Sequence, residues 1–346
     1  MKTRQVIDLA REWVAMNAIP MPGFLGAHLM GSINFMTKES LFPHYKDVDL
    51  HLVLENPPEG DPQDFAYRGL ILEVAAVGAD HYDSHERILS DPGLAANLAA
   101  SSILADPNGM LSKLHATVSQ EYARNRWVSQ RCEAEKTVAL QGLAGLQHAN
   151  SPVEALGPLL GSLAVGLAGL VAVANLRPPT HRRCLILMRE LLTSIDRVDL
   201  QEDLLDLLGY AHLSRLQVEC RLHDVAEAFD RAVQIIRSPV PLGFKLQPHV
   251  RPYLVDASQE MIAEGFHREA MGWIMVFLMI TMNVLQTEAP EDEKTYFQTK
   301  ANYILGEVGW DTLNDKPRRM QQAQRLVNEI FRVADEIVHH NPEVLP

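Results

Sequence analysis

Cysteine is scarce in this chain: three residues in 346, at Cys132, Cys184 and Cys220. Odd in number and far apart, they build neither a disulfide framework nor a CxxC metal site, and they read as core thiols of a reducing cytoplasm. Positive charge is also short. With 31 Lys+Arg against 44 Asp+Glu the formal net charge is −13, which argues against a phosphate-binding groove over the surface and against nucleic acid as a partner. A local basic pocket stays open. The opening MKTRQVIDLAREW lacks the apolar core of a signal peptide. Low-complexity tracts and a repeat of fixed period are missing too, which excludes solenoids and arrays.

Two segments are poor in charge. Ala155 to Leu176 carries none and is long enough to span a bilayer. It is diluted by Gly157, Pro158, Gly161, Ser162, Gly166, Gly169 and Asn175, and it lacks aromatic anchors at its ends. A buried, small-residue helix is the expected outcome. Met271 to Leu285 is shorter than a span and reads the same way. No membrane is expected.

What the chain does have is ordinary globular composition, 47% hydrophobic and 22% charged, and a length that suits two domains. Residues 2–17 read as an amphipathic helix, 26–30 as a short strand, 48–55 as the strongest strand and 68–77 as another. The breaker cluster NPPEGDP at 56–62 separates the last two. Beyond Asp106-Pro107-Asn108-Gly109 the pattern is helical almost to the end. The expected class is α+β: a small mixed-sheet domain over 1–108, then a helical bundle over 109–346.

One constellation carries chemistry. Gly31-Ser32 follows the first strand, Asp47-Val48-Asp49 opens the second, and Glu73 sits in ILEVAAV. Alternate side chains of a strand share a face, so Asp47, Asp49 and His51 point one way while Val48, Leu50, Leu52 and Leu54 point into a core. Two carboxylates two residues apart repel unless a cation lies between them. Mg²⁺ is the natural one, since it takes oxygen ligands and bridges carboxylates to substrate phosphates. On the later strand Ile71, Glu73 and Ala75 share a face, which sets an acid among apolar neighbours. If the two strands are adjacent, three carboxylates converge. A Gly-Ser turn after a strand can offer N–H groups and a hydroxyl to a phosphate tail.

That arrangement resembles the DNA polymerase β-like nucleotidyltransferase superfamily, whose signature is a Gly-Ser, an acid-x-acid strand and a third acid on a later strand. It is closest to the bacterial branch with a C-terminal helical domain that adenylylates small molecules, aminoglycosides among them. Asp106-Pro107-Asn108-Gly109 and His267-Arg268-Glu269-Ala270-Met271-Gly272-Trp273-Ile274 are similar to that branch as well. Two features depart from it: the loop from Ser32 to Asp47, with Phe35, Lys38, Phe42 and Tyr45, is longer, and Lys46 stands where a Ser commonly precedes the first acid. The resemblance implies Mg²⁺ on Asp47 and Asp49, with Gly31 and Ser32 holding the β- and γ-phosphates of ATP or another NTP. It implies that Glu73 completes the metal site or takes the acceptor's proton. Lys38, Lys46 and Arg68 are the cations at hand to offset a triphosphate.

The activity this implies is transfer of a nucleoside monophosphate, AMP from ATP, onto a hydroxyl of a small molecule, in a cytoplasmic protein that a homodimer would also suit. The acidic balance makes a cationic acceptor electrostatically reasonable. The alternatives are transfer to a protein side chain or an RNA end, and a non-catalytic nucleotide-binding regulator. A His-Asp metal site from His181, His212, His223, Asp224 and either Asp230 or Asp256 is disfavoured, since His212 and His223 lie about three helical turns apart. His28 and His51 stand near the acids as groups that would support them.

Overall fold

The structure is a computed structural model that describes residues 1–100 and 103–346. The chain divides into two compact units, Met1–Arg131 with Pro342–Pro346, and Cys132–Asn341. The first is α+β and carries a five-stranded mixed sheet; the second is helical.

The strands are β1 (Phe24–Met30), β2 (Asp47–Leu54), β3 (Gln63–Tyr67), β4 (Leu70–Gly78) and β5 (Ile103–Ala105), in the spatial order β3-β4-β2-β1-β5. β1 runs antiparallel to β2, and β4 runs parallel to β2. The breaker cluster at 56–62 carries the chain from β2 past one strand position to β3. A tight turn at Arg68-Gly69, both with positive φ, then returns β4 into the gap between them. β3 has no counterpart in the sequence reading: at five residues, partly or fully exposed throughout, it has too weak an alternation to register.

Both faces of the sheet are covered, but unequally. Val48, Leu50, Leu52, Leu72, Ala27 and Leu29 pack against Val6, Ala10, Trp13 and Val14 of the N-terminal helix Thr3–Trp13 and the turn after it. On the opposite face Val53 packs with Ile88, Leu89, Leu94, Leu98, Leu111, Val118 and Trp127. Leu111 and Val118 belong to the helix Met110–Glu121, so the change of pattern at 108/109 falls inside the first compact unit. Each such buried aliphatic contributes roughly 1.5–3 kcal/mol. This second layer stops short along β2. Asp47, Asp49 and His51 share the face of Val53 but are only partly buried, whereas Val53 is fully buried.

In the helical unit two helices are long and apolar enough to cross a membrane, Pro152–Ala174 and His267–Glu288, yet 72% and 56% of their apolar windows are buried in the chain's own packing. The glycines of the first explain its composition. A Cβ at Gly166 would come 2.6 Å from Ala139 N, and one at Gly142, on the neighbouring helix, 2.3 Å from Leu163 N. The small residues serve close approach of helices within a globular unit.

Candidate active site

The register of the sheet assembles the acids. Asp49 lies opposite Glu73 across the parallel β2–β4 pair, and Met30, the last residue of β1, lies opposite Asp49 on the other side. Directly opposed residues project to the same face. One carboxylate oxygen from each of Asp47, Asp49 and Glu73 falls within 4.8 Å of the others, and all three side chains are partly exposed. Among the described residues this is the one group of three or more metal-ligating side chains so close together. A hard, all-oxygen set of this kind fits Mg²⁺ rather than a soft metal.

Glu73 has company the strand alone does not reveal. Its sequence neighbours Leu72 and Val74 project to the opposite face, where both pack in the core. Across the sheet Glu73 stands between Asp49 on β2 and Asp64 on β3. Beside Ile71 and Ala75 on its own strand, Glu73 thus also stands in a row of three carboxylates over adjacent strands.

Gly31 closes the other side. It opens a 3₁₀ turn, Gly31–Phe35, with φ +72°, and a Cβ there would lie 2.0 Å from Oδ2 of Asp49. Only glycine lets the backbone reach the carboxylate in this conformation. Ser32 follows it, exposed. The turn is pinned by Asn34, whose Nδ2 donates to Leu29 O (2.9 Å) and to Oδ1 of Asn97 (2.8 Å). Asn97 in turn donates to Gly93 O at 2.8 Å. Neither asparagine was singled out by pattern.

The cations divide. Lys46 is partly buried beside Asp47 and its Nζ points toward Sδ of Met36 at 3.8 Å. Lys38 is exposed, in a stretch tied to the first helix by Arg4 N→Lys38 O (3.0 Å) and Thr3 N→Ser40 O (2.9 Å). Arg68 pairs with Glu12 at 2.8 Å and is thereby committed to the β3–β4 turn. The long loop is largely structural, since Phe42 and Tyr45 are buried.

His28 and His51 form a chain with Tyr82. Nδ1 of His28 meets Leu29 O at 3.1 Å, Nε2 of His28 meets the Tyr82 hydroxyl at 2.7 Å, and the same hydroxyl meets Nδ1 of His51 at 2.9 Å. Burial pushes His28 down to about 4. Burial, with His28 and His81 nearby, pushes His51 down to about 3, and burial also raises the Tyr82 phenol. All three are neutral at pH 7. Tyr82 escaped sequence reasoning altogether.

In the helical unit Asp224 is paired with Arg221 at 2.7 Å and Lys300 at 3.1 Å, and Asp230 with Arg251 at 2.6 Å. His212 meets the carbonyl of Glu307, and no metal-ligating group forms there among the described residues. The segment beginning at His267 opens a helix in which Arg268 pairs with Glu202 at 2.7 Å and the buried Glu269 with Arg189 at 3.0 Å. These residues hold helices together.

No protein-family model and no curated protein matches the chain. Among solved structures it matches a nucleotidyltransferase-like protein from Exiguobacterium sibiricum at 11% identity, over 87% of this chain and 90% of that one, with a TM-score of 0.30. Similarity of that degree adds no weight to the geometry above.

Proposed function

We propose that the N-terminal unit is a Mg²⁺-dependent nucleotidyltransferase site that moves a nucleoside monophosphate, AMP from ATP, onto a hydroxyl of a small acceptor such as an aminoglycoside. The observation that supports it is the convergence of Asp47, Asp49 and Glu73 on one partly open sheet face. Like charges brought together cost folding energy and are characteristic of functional sites.

In this reading Asp47 and Asp49 hold the metal, which neutralises charge on the transferred and leaving phosphates when bound. Gly31 lets the backbone of the turn lie against Asp49, where its N–H groups and the Ser32 hydroxyl meet the β- and γ-phosphates. Lys46, and Lys38 from the loop, add positive charge for the triphosphate. Glu73 either completes the metal's ligands or takes the proton of the attacking hydroxyl.

The test is pyrophosphate release from ATP and Mg²⁺ across a panel of hydroxyl acceptors, including aminoglycosides, RNA ends and protein substrates. Asp47→Asn and Asp49→Asn should each lower turnover by more than about 100-fold, beyond what loss of an outer-shell partner causes, with calorimetric ATP·Mg²⁺ binding weakened as well. Turnover unchanged in either variant rules the assignment out. Binding without release by the wild type would make the chain a nucleotide-binding regulator.

A further inference from the structure

The turn that carries Gly31 and Ser32 is clasped by two side-chain amides whose orientation their partners fix. Backbone carbonyls can only accept, so Nδ2 of Asn34 faces Leu29 O at 2.9 Å and Nδ2 of Asn97 faces Gly93 O at 2.8 Å. The second hydrogen on Asn34 Nδ2 then goes to Oδ1 of Asn97 across 2.8 Å. No group in this clasp titrates. Asn97 is buried, and its helix Pro92–Ala100 is anchored by Leu94 and Leu98 in the core layer around Val53. Asp91 caps that helix, accepting from Leu94 N at 2.7 Å. Ile33, one residue before Asn34, is buried in the opposite layer. The turn is thus tied to both layers that cover the sheet.

The clasp is held at a cost. Among the described residues Oδ1 of Asn34 is buried with no hydrogen-bond partner, and an acceptor left so loses its hydration without replacement. A residue kept in that state is explained by what it positions. What Asn34 positions is Gly31, whose φ of +72° and absent Cβ let the backbone come against Oδ2 of Asp49, and the exposed Ser32 beside it. A 3₁₀ turn has poor hydrogen bonds of its own, so tethers outside it must set its place.

We propose that Asn34 and Asn97 are positioning residues: their amide clasp fixes the Gly31–Phe35 turn against Asp49, and the strength with which the site holds a β- and γ-phosphate depends on it. The proposal rests on the nucleotidyltransferase reading, in which that turn meets the phosphate tail. Neither asparagine touches nucleotide. Donors held in place before the ligand arrives bind it without the loss of freedom that a loose turn would suffer. A clasp acting in this way favours nucleoside triphosphate over monophosphate, because a monophosphate has nothing to place against the turn. Loss of the clasp therefore removes the advantage of ATP and spares AMP, whereas general loosening of the fold would weaken both alike.

The experiment uses the full chain with Mg²⁺ and no acceptor. Calorimetry measures ATP and AMP binding to wild type, Asn34→Ala, Asn97→Ala and the double variant. Each single variant should weaken ATP by about 10-fold and leave AMP within about twofold. The double variant should be no worse than either single one, since both remove the same bond. In wild type, ¹H–¹⁵N spectra should show the side-chain amide signals of Asn34 and Asn97 shifting on addition of ATP and staying in place with AMP. That spectrum needs no variant to fold, and decides the matter if the variants do not. ATP affinity unchanged in both single variants, ATP and AMP weakened alike, or amide signals that respond equally to both nucleotides overturns the proposal alone. Neither ATP binding nor pyrophosphate release by wild type with any acceptor overturns the nucleotidyltransferase reading and the proposal with it.

Discussion

The two units use charge in opposite ways. In the helical unit opposite charges are brought together: Arg221 touches Asp224 and Glu307, Lys300 touches Asp224 and Glu227, and Arg268 touches Glu202. Arg221–Asp224 lies within one helix, while the pairs of Arg221 with Glu307, Lys300 with Asp224 and Glu227, and Arg268 with Glu202 tie one helix to another. In the N-terminal unit the sheet register does the reverse, setting Asp47, Asp49 and Glu73 within reach of a single ion and Asp64 in line beside Glu73. Carboxylates directly opposed on a sheet are destabilising, so stability does not account for the row. An arrangement that costs folding energy and places hard oxygen donors on an open face is what a cation site requires.

The comparison sharpens first at Glu73, where the largest effect is expected. A metal ligand is needed for nucleotide binding and rate alike, whereas a base acts only as the acceptor's proton leaves. Glu73→Gln should lower kcat by about 10²–10⁴-fold, the range for a positioned base, with ATP·Mg²⁺ affinity nearly kept. Calorimetry beside steady-state kinetics separates the two roles. Affinity lost as fully as in Asp49→Asn would make Glu73 chiefly a third metal ligand.

The second effect belongs to the same unit and has a pH signature. Burial lowers His28 from 6.5 to about 4, so the unfolded chain binds a proton in that window and the folded chain does not. Stability from this group is therefore complete above about pH 6.5 and falls as pH drops toward 4, by roughly 3 kcal/mol in all. His51 acts in the same direction. The helical unit's depressed carboxylates, Glu202 held down by Arg268 and Glu227 by Lys300, lose their contribution only below the ordinary carboxylate range. Thermal melts between pH 7.5 and 5 should fall for wild type and fall less steeply for His28→Gln, the remaining slope coming from His51. An equal fall in both would assign the effect to other groups.

How much of this was legible in the sequence differs between the two units for physical reasons. The Asp-Val-Asp-Leu-His-Leu alternation declares both a strand and its faces, and Glu73 interrupts an apolar strand conspicuously. Local period is enough to find both. The convergence of Asp47, Asp49 and Glu73 was legible once their strands were taken as adjacent; the extension of the row to Asp64 was not, because it depends on β4 entering between β2 and β3, a pairing set by a turn and a breaker cluster rather than by period. Tyr82 lies 54 residues from His28 and 31 from His51, and a neutral hydrogen bond over such separations leaves no periodic trace. Asn34 and Asn97, 63 residues apart, were hidden for the same reason. The helical unit's glycines were legible as a buried helix, since apolar length with small residues points to close packing.

Removing charge from the helical unit should hurt stability and spare turnover, the converse of the acid row. Arg221 lies between Asp224 and Glu307 with all three side chains at most 17% exposed. Arg221→Leu leaves two acids near one another without it, and should cost on the order of 2 kcal/mol. A urea midpoint measured beside pyrophosphate release checks both halves. Lost turnover at unchanged stability would break the contrast.

The smallest effect should come from the ion pairs on the surface of that same unit, where proximity alone suggests a large one. Glu329 accepts from Arg332 at 2.7 Å and meets Arg197 at 2.9 Å, and the two arginines hold its carboxyl down to about 2. Arg332 also touches Glu336 one turn on. Yet Arg332 is 51% exposed and Glu329 37%, so water and salt screen the attraction, and holding two long side chains in one geometry costs rotamer freedom. Arg332→Ala should therefore leave the urea midpoint and the turnover where they are in 0.15 M salt, with at most a small loss that appears only at low ionic strength. Arg221→Leu, measured alongside, should lose stability at both salt concentrations. The distance between charges is nearly the same in the two pairs and the exposure is not, so a midpoint loss for Arg332→Ala equal to that for Arg221→Leu would show that exposure does not decide what a pair contributes in this unit.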